Sequence, residues 1–251
     1  QDFQKGLAAA QAGDFATALQ EWTPLAEAGD SDAQFNLGVM YRNGKGVSED
    51  DKEAVKWYRL AADQGDADAQ NNLAYMYDKG DGVPQDYAEA MKWYRLAADQ
   101  GFAKAQYNLG NMYNNGDGVP EDDKEAVKWY RLAADQGDAS AQSNLGNTYN
   151  NGDGVPQDYT EAVKWYRLAA DQGRAIAQFN LGNMYRQGQG VLQDYAEAVK
   201  WYRLAADQGD AKAQNNLGIM YEYGNGVLQD NVMAHMWYNI ASANGHEKAG
   251  D

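Results

Sequence analysis

The chain has 251 residues, 44% of them hydrophobic, enough to bury a sizeable core, and no apolar run is long enough to span a bilayer. Its 37 acidic against 21 basic side chains give a net charge of −16, which repels nucleic acid and anionic membrane surfaces and favours a basic or polar partner. The absence of cysteine excludes disulfides and thiolate metal sites.

The chain opens at Gln1 with neither a charged n-region nor an apolar h-region. We read this as removal of a signal peptide rather than a tag, and expect a periplasmic or secreted location, with the cytoplasm as the alternative. Residues 1–29 read as a loose helical hairpin, with Phe3, Leu7 and Ala10 on one helix and Phe15, Ala18, Leu19, Trp22 and Leu25 on the next. Gly13-Asp14 is the turn between them.

Residues 30–245 hold six copies of a 36-residue unit, traced by a Trp-Tyr pair that begins at Trp57, Trp93, Trp129, Trp165, Trp201 and Trp237. A spacing held without insertion means that every unit stacks on the last in the same way. In the second copy Asp66 precedes Ala69, Leu73, Met76 and Tyr77, and Gly80 follows, which predicts a helix of about three turns with an N-cap and a glycine stop. The string Gly80-Asp81-Gly82-Val83-Pro84 then forces a reversal, because its glycines reach φ > 0 and its proline forbids helix. Asp86 stands three residues before Glu89 in the arrangement of a capping box, and Ala90, Trp93, Tyr94 and Ala97 carry a second helix to Gly101. The Asp and Glu pairing recurs in five copies, whereas the sixth has Met233 in the Glu column. His246 to Asp251 read as the start of a truncated C-terminal unit.

The recurring text, A-Q-x-N-L-G-x-M-Y, then G-x-G-V, then E-A-V-K-W-Y-R-L-A-A-D-Q-G, resembles the Sel1-like repeat family, a relative of the tetratricopeptide repeat with a longer loop inside the hairpin. The resemblance implies an all-α, right-handed α-solenoid of stacked helix-turn-helix repeats, with residues 1–29 as a tetratricopeptide-like cap. It also implies a non-enzymatic scaffold or adaptor that binds a peptide or protein segment on the concave face, in a bacterial exported protein. The alternatives are a factor that binds envelope glycan or a host protein, or a hydrolase of the β-lactamase type.

Columns that never change are expected to serve packing. The Trp column reads as core, the small column Gly38, Ala74, Gly110, Gly146, Gly182 and Gly218 as a device for close helix approach, and the Asn column from Asn36 to Asn216 as bracing of neighbouring backbones, with presentation of amides to an extended ligand as the alternative. The columns two before and two, five and six after the invariant Leu share one helix face and vary. They hold Phe35, Tyr107 and Phe179; Val39, Tyr75, Asn111, Asn147 and Asn183; Arg42, Asn114, Asn150 and Arg186; and Lys79. In tetratricopeptide relatives this face holds extended peptides, and the resemblance carries that role to these positions. Asparagine amides offer donor and acceptor to a peptide backbone, the aromatics offer apolar seats, and Arg42, Lys79 and Arg186 offer partners for a carboxylate.

Enzymatic readings find no support in the motifs. None of Ser31, Ser48, Ser140, Ser143 and Ser242 has a Lys three residues on, and His235 and His246 are too few for a catalytic set or a three-histidine zinc site. The G-x-G loops lack the rest of a phosphate loop, and the Asn115-x-Asp117-Gly118 string fails as a calcium loop, with Tyr113 and Lys124 at its ends. No cofactor and no metal are expected, nor nucleic acid binding, nor membrane insertion, and the oligomeric state is open.

Overall fold

The computed structural model describes residues 1–245, and His246 to Asp251, with the truncated unit expected there, lie outside the described residues. Among the described residues the chain is all-α, with helices α1 (Phe3–Gln11), α2 (Phe15–Glu27), α3 (Ser31–Asn43), α4 (Asp51–Asp63), α5 (Ala67–Lys79), α6 (Tyr87–Asp99), α7 (Ala103–Asn115), α8 (Asp123–Asp135), α9 (Ala139–Asn151), α10 (Tyr159–Asp171), α11 (Ala175–Gln187), α12 (Tyr195–Asp207), α13 (Ala211–Tyr223) and α14 (Asn231–Ala243). They form two compact units, Gln1–Asp122 and Asp123–Asp251. Within each, every helix packs on the next, so that hairpins such as α3/α4 and α11/α12 stack in chain order.

Local chemistry sets the ends of the helices. Asp66 Oδ1 accepts from Ala69 N–H at 2.7 Å, and Gly80 closes α5 with φ +79°, a left-handed conformation that costs glycine little. Helices α7 and α11, which have Phe102 and Arg174 where other copies have Asp, carry no side-chain cap. The second helices are capped from one side only. Asp50 Oδ1 accepts from Glu53 N–H at 3.0 Å, but the Glu53 carboxylate turns to Lys56 instead of closing a capping box. The physical reason is that Asp50 N–H is already taken by Tyr41 C=O of the preceding helix at 2.9 Å. The same bond joins Asp86 to Tyr77 and Asp194 to Tyr185, so the loop itself uses the donor that a reciprocal cap needs.

The core is built from Ala, Leu, Met and aromatic columns. Leu73, Leu109, Leu145, Leu181 and Leu217 are fully buried, as are the alanines that let helices approach. Trp93, Trp165 and Trp201 are 5% exposed, while Trp57, Trp129 and Trp237 are half-buried. In the terminal hairpin Trp22, with Ala18 and Ala26, joins Leu37 and Met40 of the first repeat in one cluster, and Phe3, Leu7 and Phe15 pack against it.

Two polar joints tie consecutive repeats. Gln70 Nε2 donates to Ala62 C=O, a carbonyl at the end of the preceding helix, at 3.1 Å, and Gln70 Oε1 accepts from Gln100 Nε2 at 2.8 Å. Gln34, Gln178 and Gln214 repeat both bonds, the last taking Asn244 as its donor. These glutamines are 2–4% exposed, so the bonds satisfy a buried side-chain amide, while the carbonyl, which already accepts from a glycine N–H such as Gly65 on Ala62 at 3.0 Å, takes a second donor. The second joint is a guanidinium on a phenol: Arg59 donates to the Tyr77 hydroxyl, Arg95 to Tyr113, Arg131 to Tyr149, Arg167 to Tyr185 and Arg203 to Tyr221. The Arg59 guanidinium carbon also sits 5.5 Å from the Tyr77 ring centroid, within cation–π range.

Candidate ligand-binding face

In α3, α9, α11 and α13 the first helix carries a glycine packed directly against the tyrosine ring of the second helix, a position that α5 fills with Ala74. A Cβ built on Gly182 would come within 2.7 Å of Tyr202 Cδ1, and one on Gly38 within 2.6 Å of Tyr58 Cδ1. This close approach brings the phenol tip to the first-helix face, where the variable columns meet it. Tyr166 donates to Asn147 Oδ1 and Tyr202 to Asn183 Oδ1, both at 2.7 Å. The same oxygens accept from Asn180 Nδ2 at 3.2 Å and Asn216 Nδ2 at 3.3 Å, residues of the invariant Asn column. In the first unit Asn108 Nδ2 donates to Asn71 Oδ1 at 3.2 Å. At Asn108, Asn180 and Asn216 that column therefore braces neighbouring side chains rather than the backbones expected.

The predicted face residues divide by what they already touch. Phe35 and Phe179 are half-buried with ring centroids 6.0 Å from those of Tyr58 and Tyr202, so internal packing accounts for these aromatics as well as a ligand seat would. Arg42 stacks on Tyr75 with its guanidinium carbon 4.5 Å from the ring centroid and lies close enough to the Tyr58 hydroxyl to act on its titration. Arg186 Nε donates to the Tyr202 hydroxyl at 3.1 Å. Lys79 pairs with Asp78 at 2.8 Å. Asn114 and Asn150 bond their neighbours Asn115 and Asn151, and Val39, Tyr107 and Asn111 are half-buried on the same face. The second unit gathers Phe179, Asn183 and Arg186 around one residue, Tyr202.

The first unit opens two adjoining clefts on this face. One, of about 260 Å³, lies between Arg42 and Lys104, with Asn71, Asn72, Tyr75 and Asn108 as its walls. The other, of about 190 Å³, is lined by Tyr75, Asp78, Lys79, Tyr94, Asn111 and Asp117 among others. Tyr75 and Asn108 belong to both. Of the predicted residues Arg42, Tyr75, Lys79 and Asn111 are thus brought together. Lys104, Asn108 and Tyr94 were not predicted. Lys104 occupies a column, Asp32, Asp68, Lys104, Ser140, Ile176 and Lys212, that varies as much as the others and lies one helical turn earlier.

Charge in the first cleft is positive. Among the described residues neither Arg42 nor Lys104 has an ion pair, although Lys104 is close enough to Asp68 to act on its titration. Burial pushes the Tyr58 and Tyr94 phenols above their ordinary range, so both stay neutral donors at physiological pH. No group of three or more His, Cys, Asp or Glu able to hold a metal occurs among the described residues, and no described helix is long and apolar enough to cross a membrane.

Stacked helical hairpins with clefts on the first-helix face define an all-α helical-repeat protein. The Sel1 repeat model matches residues 31–66, 67–102, 103–138, 139–173, 175–210 and 211–246, and the chain belongs to the Sel1 repeat family. It is similar, at 42% identity and a TM-score of 0.89 over 92% of its length, to c5321, a protective antigen of uropathogenic Escherichia coli with an SLR fold. The chain spans 50% of that protein's length. A Sel1 repeat protein from Oxalobacter formigenes is 33% identical, with a TM-score of 0.84 over 98% of this chain and 97% of that one. The immunity protein PA5088 from Pseudomonas aeruginosa, at 23% identity, shares the fold, with a TM-score of 0.53 over 86% of this chain and 82% of that one. No curated protein gives a match. Sel1 repeat proteins generally mediate protein–protein interaction, typically as non-enzymatic scaffolds.

Proposed function

We propose that this chain is a non-enzymatic scaffold or adaptor that holds an extended peptide or protein segment along the first-helix face. The observation that carries the reading is the pair of adjoining clefts on the first-helix face, whose walls include Arg42, Tyr75, Lys79, Lys104 and Asn111, residues of columns that differ from copy to copy. An interaction surface needs grooves with a few convergent polar groups and an aromatic anchor, and Tyr75, standing between the two clefts, supplies the anchor. The chain's acidity narrows the partner to one without large anionic surfaces, while Arg42 and Lys104 give such a partner a local place for a single negative group.

The test is partner capture from native lysate with the variant Tyr75→Ser combined with Lys79→Ala. Neither side chain supports the core, so the helical signal and melting behaviour are expected to persist while capture weakens at least tenfold, about 1.4 kcal/mol. Undiminished capture by this variant, with loss instead when the loops around Val119 and Val155 are altered, would place the surface elsewhere.

A further inference from the structure

The tyrosine of the second helix recurs in every repeat, and the surroundings of its hydroxyl vary among the copies. Tyr58 has Arg42 and Asn72 close enough to act on its titration, Tyr166 is bonded by Asn147, Tyr202 by Asn183 and Arg186, and Tyr238 by Glu222 at 2.5 Å. Tyr94 is the exception. The residue is 2% exposed, and the groups that act on its hydroxyl, Asp78, Tyr75 and Arg42, do so without a hydrogen bond. The cause is legible in its own repeat: where the third, fourth and fifth copies have Gly-Asn, this one has Ala74-Tyr75, which removes the amide acceptor. The residue three positions further, Arg186 in the copy that holds Tyr202, is here Asp78, engaged with Lys79. The Tyr94 hydroxyl oxygen is not one of the fully buried polar atoms left without a partner, so it is reachable from outside and open to a ligand. Tyr94 forms part of the wall of the 190 Å³ cleft.

We propose that this cleft takes an amide carbonyl of a bound peptide, which accepts from the Tyr94 hydroxyl in place of the missing asparagine, and that a carboxylate of the same peptide lies between Arg42 and Lys104. The inference rests on the peptide-binding reading and gives it a subsite chemistry. Three features select the ligand. A neutral phenol that lacks an acceptor calls for an oxygen, and Asp78 and Asp117 in the same cleft oppose an anionic one, so the oxygen belongs to a neutral amide. The adjoining cleft carries two cations without carboxylate partners in a chain of net charge −16, and there a carboxylate gains charge-assisted bonds. Tyr75 and Asn108 wall both clefts, so one short peptide spans them.

The experiment is a nuclear magnetic resonance titration of the full chain with three probes: acetyl-Gly-Gln and acetyl-Gly-Leu with free carboxylates, and acetyl-Gly-Gln-amide. The free acids are expected to shift the side-chain amides of Asn108 and Asn111, and the amidated probe to bind at least tenfold more weakly. Lys104→Gln should weaken the free acids several-fold, and so should Tyr94→Phe, the latter with an unchanged melting temperature. Equal binding of the two free acids assigns the carbonyl to the backbone, and preference for the Gln probe assigns it to a side-chain amide; either outcome supports the proposal. Wild-type affinity in Tyr94→Phe overturns it, as does a loss of melting temperature in that variant equal to that of Tyr202→Phe, which would reveal an internal partner. If no probe binds while Tyr75→Ser with Lys79→Ala still loses partner capture, the subsite falls and the wider face stands.

Discussion

Tyr202 donates its hydroxyl proton to Asn183 Oδ1 at 2.7 Å while accepting from Arg186 Nε at 3.1 Å, so three positions on two helices are locked through one phenol. Asn183 and Arg186 are thereby structural as well as surface residues. Removing the hydroxyl leaves a half-buried asparagine oxygen one donor short, and Tyr202→Phe is expected to cost about 1 kcal/mol, with Tyr166→Phe similar. Tyr94→Phe, which breaks no internal bond, should cost close to nothing. Urea unfolding of the three variants side by side checks this, and equal losses would contradict it.

The tryptophan column predicts a larger effect. Trp165 is 5% exposed and sits against neighbouring helices, so Trp165→Ala should destabilise by about 3–5 kcal/mol through the cavity it leaves. Asn114→Ala, at an exposed position, should change stability by less than about 1 kcal/mol. Calorimetric melting of both variants separates core from face.

Gly182 answers a question of space. A methyl group there meets Tyr202 ring carbons at 2.7 Å, and α11 and α12 must separate or the ring must turn. Gly182→Ala is therefore expected to lower stability by about 1–3 kcal/mol despite alanine's better helix propensity. A variant more stable than the parent, measured by thermal unfolding, would show that the ring moves freely.

Alkaline pH should unfold the chain through its phenols. Burial raises Tyr58, Tyr94, Tyr166 and Tyr202 above the ordinary value, so the folded state keeps protons that the unfolded state begins to lose near pH 10. Their contribution is complete below about pH 10 and is lost as pH rises toward the folded values, by up to about 1.4 kcal/mol per pH unit for each tyrosine. Urea midpoints at pH 8, 9.5, 10.5 and 11 should be level at first and then fall. A level profile throughout would mean that these phenols ionise as readily folded as unfolded.

Much of the fold was readable because its signals are local. The Asp66 cap, the Gly80 stop and the apolar spacing from Ala69 to Tyr77 each act within a few residues, and α5 runs from Ala67 to Lys79 as they require. The glutamine and arginine joints were not readable. An unchanging polar column looks the same whether it faces water or the next repeat, and only the fold shows Gln70 reaching the Ala62 carbonyl. The candidate face was read in part: Arg42, Tyr75, Lys79 and Asn111 do line clefts, but Lys104 was missed because the varying stripe begins a turn before the first position considered. Tyr94 gave no signal of its own, since its column never changes; what sets it apart is the Ala74-Tyr75 pair twenty residues earlier.

The joint between Arg167 and Tyr185 has a plug in one repeat and a socket in the next, and every 36-residue copy before the last carries both Arg and Tyr. Duplicating such a copy also duplicates a complete fastening, and excising one brings a plug to an identical socket. The array can therefore lengthen or shorten by whole units without any compensating change at the seams. Its face can meanwhile acquire new letters in the varying columns one unit at a time.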